Sequence, residues 1–134
     1  MKVVLDTSVL IAGPNVSVPG DLAISAASIA ELQFGVLITD DATVRAHRLT
    51  RLTRILQVFA PLPFDTRVAA SYGELAAATV RAGRQPRRRQ LDLVVAATAH
   101  AYSAHLATAN LADVAHLSDL IDLIEVPTRT EPLT

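Results

Sequence analysis

The chain has 134 residues, with 12 Lys and Arg against 13 Asp and Glu, and a formal net charge of −1. At 51% hydrophobic and 19% charged residues, its composition excludes a disordered chain and is typical of one folded domain. The absence of Cys excludes disulfides, thiol nucleophiles and Cys-ligated metal centres. With three Phe, two Tyr and no Trp, a nucleic acid would have to be bound mainly through its phosphates.

The N-terminus does not resemble an export signal. Its apolar start is interrupted at Asp6, before the apolar region of a signal peptide is complete, so we expect a cytoplasmic protein. Residues 93–112 carry no charged side chain over a membrane-spanning length, but they include His100, Ser103, His105 and Asn110 and are rich in Ala. This composition favours a buried helix followed by a strand, and we expect no membrane contact.

Short apolar runs alternate with helical patterns along the whole chain. In the first half we predict strands over Lys2 to Leu5 and Leu22 to Ile24, a helix after each, Ser25 capping the helix over 26–38, and Asp40 or Asp41 capping a helix to about Phe59. In the second half we predict an extended piece over 61–64, a helix from Asp65 to Gly83, an Arg-rich loop, a helix over 91–103, a strand over 106–108, a short helix capped by Asn110, and a strand over 123–126.

This alternation predicts an α/β fold, with a mostly parallel sheet sandwiched by helices. No repeat or low-complexity linker divides the chain, so we expect one domain over residues 1–134, with a tail from about residue 127.

Four acidic residues fall at or near the expected element ends. Asp6 follows the first strand and Asp113 lies one turn beyond Thr108, while Glu31 and Asp92 interrupt apolar helical stretches. Each alone is readily explained as a cap or a solvated residue. Together they would meet at the carboxyl edge of a parallel sheet, where ligands bind. Four carboxylates in one place repel each other unless a hard divalent cation, Mg²⁺ or Mn²⁺, balances their charge.

These residues stand in segments that resemble the PIN-domain ribonucleases, in particular the VapC-type toxins of VapBC toxin–antitoxin pairs. The matching segments are Val4-Leu5-Asp6-Thr7-Ser8, Ile24-Ser25, Ala30-Glu31-Leu32 with Gly35, Asp92 with Val95-Ala96-Ala97-Thr98-Ala99, and Leu106-Ala107-Thr108-Ala109-Asn110 with Asp113. The last segment departs from the family pattern, with Ala109 in place of a larger polar or basic residue and Val114 in place of an aromatic one.

The resemblance implies an Mg²⁺- or Mn²⁺-dependent endoribonuclease in which a metal-activated water hydrolyses RNA phosphodiester bonds. Asp6, Glu31, Asp92 and Asp113 carry over as the catalytic acids, with Asp6 and Asp92 as direct metal ligands. Glu31 and Asp113 would either complete the metal shell through water or orient the attacking hydroxide. The polar residues expected to support the metal or the phosphate are Ser8, Thr108 and Asn110. The implied partners are RNA, a VapB-type antitoxin that inserts a basic side chain among the acids, and a second copy of the chain in a homodimer.

Arginine supplies nearly all of the positive charge. Arg84, Arg87, Arg88 and Arg89 precede the helix that carries Asp92, so they are expected to hold phosphates that flank the cleaved one, unless they form a solvated loop. A second set, Arg45, Arg48, Arg51 and Arg54, is spaced by three along a helix and is expected to be solvated or to contact a partner.

Three other classes of protein are alternatives to a ribonuclease. A phosphatase of the haloacid-dehalogenase type needs an acid two residues after Asp6, where this chain has Ser8. A receiver domain needs a lysine late in the chain, whereas Lys2 is the only lysine. A non-catalytic module of the same fold, binding RNA or another protein, stays open as the alternative function.

Overall fold

The computed structural model describes residues 1–12 and 17–127, and its four strands pair in parallel throughout. They are β1 (Lys2–Leu5), β2 (Asp21–Ile24), β3 (His105–Thr108) and β4 (Leu123–Glu125), in the order β2-β1-β3-β4. The helices are α1 (Thr7–Ala12), α2 (Ala26–Ile38), α3 (Ala42–Val58), α4 (Thr66–Arg81), α5 (Gln90–Ala101) and α6 (Leu111–Val114). Two 3-10 segments, Pro86–Arg89 and Ala115–Leu117, precede α5 and follow α6. The predicted α/β class is confirmed.

Side chains of the central strands alternate between two cores, one on each face of the sheet. Val4 and Leu106 pack into the core that α4 and α5 cover, and Val3, Leu5 and Ala107 pack into the core covered by α2 and α3. Three alanines of α5, Ala96, Ala97 and Ala99, are fully buried, which lets this helix approach its neighbours closely. The sheet is therefore sandwiched by helices, as predicted.

Most predicted boundaries differ from the structure by one or two residues, a normal uncertainty at element ends. The uncharged stretch over 93–112 contains most of α5 and all of β3, as expected. In the part of the chain that the structure describes, no helix is long and apolar enough to span a bilayer. Part of the predicted Arg-rich loop is the 3-10 segment Pro86–Arg89. The predicted tail lies mostly outside the described residues, which end at position 127.

Three of the predicted helix caps are confirmed and one is wrong. The side chains of Ser25, Asp41 and Asp65 each accept a hydrogen bond from a backbone N–H of the first helical turn. Asn110 occupies the capping position of α6, but its side chain makes no capping bond. Its backbone N–H donates to Thr108 Oγ1 at 3.0 Å, and its backbone carbonyl accepts from the Asp113 N–H at 3.0 Å.

Candidate active site

Asp6 lies at the carboxyl edge of the sheet and is fixed on both its backbone and its side chain. Its N–H donates to the carbonyl of Ala107 at 2.9 Å, which ties the end of β1 to β3. Its Oδ2 accepts hydrogen bonds from Ser8 Oγ at 2.7 Å and from Thr108 Oγ1 at 3.0 Å. Both hydroxyls therefore hold the Asp6 carboxylate in place, and the support of a metal or phosphate by Ser8 and Thr108 stays a prediction.

Glu31 reaches the same region from the second turn of α2. Its Oε1 accepts a hydrogen bond from Thr7 Oγ1 at 2.9 Å. Thr7 Oγ1 also lies 2.9 Å from the Oγ of the fully buried Ser28. Because Thr7 follows Asp6 directly, this contact couples the position of Glu31 to the end of β1.

Asp92 and Asp113 come from helices on the other side of the cleft. Asp92 lies in the first turn of α5, and this turn is at the carboxyl edge because α5 runs back to the start of β3. Asp113 lies in α6, just after β3. Arg89 Nη1 bridges the two acids, at 2.8 Å from Asp113 Oδ2 and 3.5 Å from Asp92 Oδ2.

Burial and neighbouring negative charges both raise the pKa values of Glu31 and Asp92. Burial raises the pKa of Glu31, and the charges of Asp92 and Asp6 raise it further against the opposing hydrogen bond from Thr7. Burial also raises the pKa of Asp92, with Asp6 and Asp113 adding to the effect and Arg89 opposing it. The fold thus brings the four carboxylates close enough to interact, with more negative charge than the single Arg89 balances.

The donors at this site are carboxylate oxygens, which are the ligands that hard divalent cations prefer. The described side chains alone do not complete a ligand shell around such a cation. Within residues 1–12 and 17–127, no three His, Asp or Glu side chains are grouped closely enough to hold a metal ion between them. Mg²⁺ usually keeps several of its own waters and needs only one or two carboxylates directly. Burial, and after it the neighbouring negative charges, raise the pKa values of Glu31 and Asp92, and a cation bound between these carboxylates would favour their charged forms.

The arginines of the loop differ in their contacts. Gly83, in a left-handed conformation with φ of 79°, ends α4 and turns the chain so that Arg84 points toward α6. Arg84 Nη1 donates to the carbonyl of Asp113 at 3.0 Å and lies 3.2 Å from His116 Nδ1. Burial and this guanidinium lower the pKa of His116. Arg84 is thus already engaged by the protein.

A cavity of about 470 Å³ opens beside Asp113. Arg84, Arg88, Arg89, Gln85 and His116 are among the residues that line it. Arg87 and Arg88 make no ion pair or side-chain hydrogen bond within the described residues, which leaves them available to a ligand. Phosphate binding by the four arginines stays a prediction.

One protein family matches most of this chain. Residues 3–117 match the family described as the PIN domain. The chain belongs to the PIN domain family. No curated protein sequence matches it.

Several solved structures share this PIN domain. VapBC-5, a member of the VapBC family of toxin–antitoxin systems from Mycobacterium tuberculosis, is 28% identical, with a TM-score of 0.79 over 94% of this chain and 98% of that chain. FitAcB from Neisseria gonorrhoeae is 27% identical, with a TM-score of 0.72 over 92% of this chain and 96% of that chain. VapBC2 from Rickettsia felis, bound to a promoter DNA fragment, is 22% identical and shows the fold alone, with a TM-score of 0.71 over 94% and 99%. The resemblance to VapC-type PIN proteins is confirmed.

The two residues that depart from the PIN pattern, Ala109 and Val114, lie in different surroundings. Val114 is buried in the core beneath α4 and α5, where it fills apolar space. The methyl side chain of Ala109 supplies no polar group, and its backbone N–H donates to Ser8 Oγ at 3.0 Å.

Sequence reasoning missed two residues of the site. It did not assign Thr7 a role, although the position directly after Asp6 was a signal that its hydroxyl would share the same edge. It assigned Arg89 to phosphate binding and did not foresee its contacts with Asp92 and Asp113. The spacing of three residues between Arg89 and Asp92, one helical turn, was the available signal.

Proposed function

We propose that this PIN domain is a divalent-metal-dependent endoribonuclease that acts as the toxin of a type II toxin–antitoxin pair. The observation that carries the proposal is the position of Asp6, held by Ser8 and Thr108 at the sheet edge where its charge acts on both Glu31 and Asp92. Such fixed carboxylates, short of positive charge, suit hydrolysis assisted by a metal ion. VapBC-5, the solved structure at 28% identity, is a member of a family of toxin–antitoxin systems.

Asp6 and Asp92 would hold the Mg²⁺ or Mn²⁺ ion, which when bound lowers the pKa of water and offsets charge on the phosphate. Ser8 and Thr108 donate to Asp6 and keep its carboxylate in one orientation. Glu31, which accepts a hydrogen bond from Thr7, would either complete the metal shell through water or orient the attacking hydroxide. Asp113 shares these alternatives, and Arg87 and Arg88 would bind phosphates that flank the reacting one.

Purified chain, freed of any antitoxin, is expected to cleave RNA with Mg²⁺ or Mn²⁺ and to stop when EDTA is added. The reason is that no nucleophile of the protein takes part, so cleavage depends on the cation. The measurement is a gel time course on end-labelled and total cellular RNA. Cleavage that continues unchanged in EDTA would contradict the proposed mechanism, and RNA binding without cleavage would favour the non-catalytic module.

The antitoxin partner also has a structural basis. An apolar groove of about 700 Å³ lies beside the edge strand β2, between α1 and α3. Val9, Leu22 and Val58 contribute apolar surface, and Arg51 and Arg54 lie along the same groove. The Arg51 Nε is buried with no partner among the described residues, so an acidic group would complete it. We propose that an amphipathic segment of the antitoxin, with acids facing these arginines, binds here.

Val58→Glu is expected to lower the affinity for the cognate antitoxin at least tenfold, because it places a charge in an apolar contact. Val58 is 75% exposed, so the change spares the fold. Val80→Glu, on α4 at 60% exposure and outside the groove, is the matched control. Titration of each variant with purified antitoxin measures the effect, and equal affinities would place the antitoxin elsewhere.

The homodimer and the cytoplasmic location stay predictions. Of the second arginine set, Arg48 donates to the carbonyl of Gly35 at 2.8 Å and Arg45 to the carbonyl of Thr39. These two residues join α3 to the end of α2, so only Arg51 and Arg54 line the groove proposed for a partner.

A further inference from the structure

Arg89 is unusual among the basic residues of this chain. Within residues 1–12 and 17–127, no other Lys or Arg side chain forms an ion pair with Asp or Glu. Both of its partners, Asp92 and Asp113, belong to the acidic cluster. The two ion pairs of Arg89, the only ones that a lysine or arginine makes in the described structure, are therefore both inside the candidate active site.

The position of Arg89 allows its side chain to move away from Asp92 and Asp113. It is the last residue of the 3-10 segment before α5, and its side chain is 55% exposed, whereas those of Asp92 and Asp113 are 32% and 30% exposed. An ion pair this exposed contributes little to stability. The guanidinium reaches into the cleft from its rim, so its departure exposes the acids without opening a cavity in the core.

The Arg89 guanidinium also lies where positive charge offsets the repulsion between two carboxylates. It bridges carboxylates from α5 and α6 that would otherwise repel each other. A divalent cation held by Asp92 meets the same electrostatic demand, and the two positive groups would repel at such short range. This competition agrees with the absence of a closed group of three acidic or imidazole ligands among the described residues.

We propose that Arg89 is a built-in counterion that competes with the divalent cation for Asp92 and Asp113. The proposal rests on the metal-dependent function proposed above and adds a regulatory step to it. Without metal, Arg89 holds the two acids; when the cation binds, the guanidinium is displaced toward the mouth of the cleft. There it joins Arg88, which lines the same cavity, and is available to an RNA phosphate.

The test is isothermal titration of Mn²⁺ into the intact wild-type chain, Arg89→Gln and the neighbouring Arg87→Gln. Arg89→Gln is expected to bind Mn²⁺ about fivefold or more tightly, since it removes a competing charge close to the site. Arg89→Lys keeps the charge and is expected to stay close to wild type. Arg87→Gln, which removes a charge in the same segment without an acidic partner among the described residues, is expected to change affinity less than twofold.

Equal or weaker Mn²⁺ binding by Arg89→Gln would overturn the inference, as would equal gains in Arg89→Gln and Arg87→Gln. Thermal melts of all four proteins establish that each is folded. RNA cleavage is measured separately: tighter Mn²⁺ binding without cleavage in any protein would support the counterion and refute the ribonuclease. Cleavage by wild type with unchanged Mn²⁺ affinity in Arg89→Gln would refute the counterion alone.

Discussion

Asp6→Asn is expected to reduce RNA cleavage at least about 100-fold while leaving the chain folded, because even indirect supports of metal ligands contribute about 10–100-fold. The introduced amide oxygen can still accept hydrogen bonds from Ser8 and Thr108. What it lacks is the negative charge that binds a cation. The measurement is the initial rate of RNA cleavage at saturating Mg²⁺, together with a thermal melt.

Asp40→Asn provides the matched control for that experiment. Asp40 is exposed between α2 and α3, and the same change there removes one charge outside the acidic cluster. The Asp40 variant is expected to cleave RNA at the wild-type rate. If the two variants lose activity equally, or if neither does, Asp6 is not a metal ligand and the mechanism fails.

The elements that place Asp6 could be predicted because each depends on neighbouring residues. Apolar runs gave β1 and β3, and the rule that parallel strands end at one edge put Asp6 beside Thr108. Ser25 and Asp65 were predictable as caps for the same reason, since their partners lie two and three residues away. The Asn110 side chain does not cap α6, since the Asp113 N–H, a donor that such a cap would bind, donates instead to the Asn110 carbonyl at 3.0 Å.

The contacts within the site could not be predicted with the same certainty, because they depend on how helices are oriented relative to one another. Thr7 and Glu31 are 24 residues apart and meet only once α1 and α2 pack together. For the arginine run, the sequence offers several equivalent side chains. At Arg89 the backbone leaves the 3-10 geometry, with φ of −141° and ψ of 49°, and this is the side chain that contacts Asp92 and Asp113.

The second large effect concerns stability. A carboxyl group whose pKa is raised by folding favours the folded state most strongly while it is protonated. For Glu31 and Asp92 this contribution is complete below their ordinary pKa values of 4.5 and 3.8 and is lost as pH rises through the raised values. The metal-free chain is therefore destabilised by its own cluster at neutral pH, and the cation is expected to reverse that loss.

Glu31→Gln and Asp92→Asn are each expected to raise the melting temperature of the metal-free chain by about 2–5 °C at pH 7–8, with a smaller gain toward pH 4. The amide introduced at position 31 keeps an oxygen that accepts from the Thr7 hydroxyl, and Arg89 keeps its ion pair with Asp113 in the Asp92 variant. Each change therefore mainly removes the cost of burying a negative charge, together with its repulsion by the other acids. Melts in EDTA across this pH range measure the effect, with Asp40→Asn as the exposed control. Addition of Mn²⁺ is expected to raise the melting temperature of wild type more than that of Asp92→Asn. If the stability of the wild-type chain rises steadily from pH 4 to 8 relative to both variants, folding does not raise the pKa values of these two carboxylates.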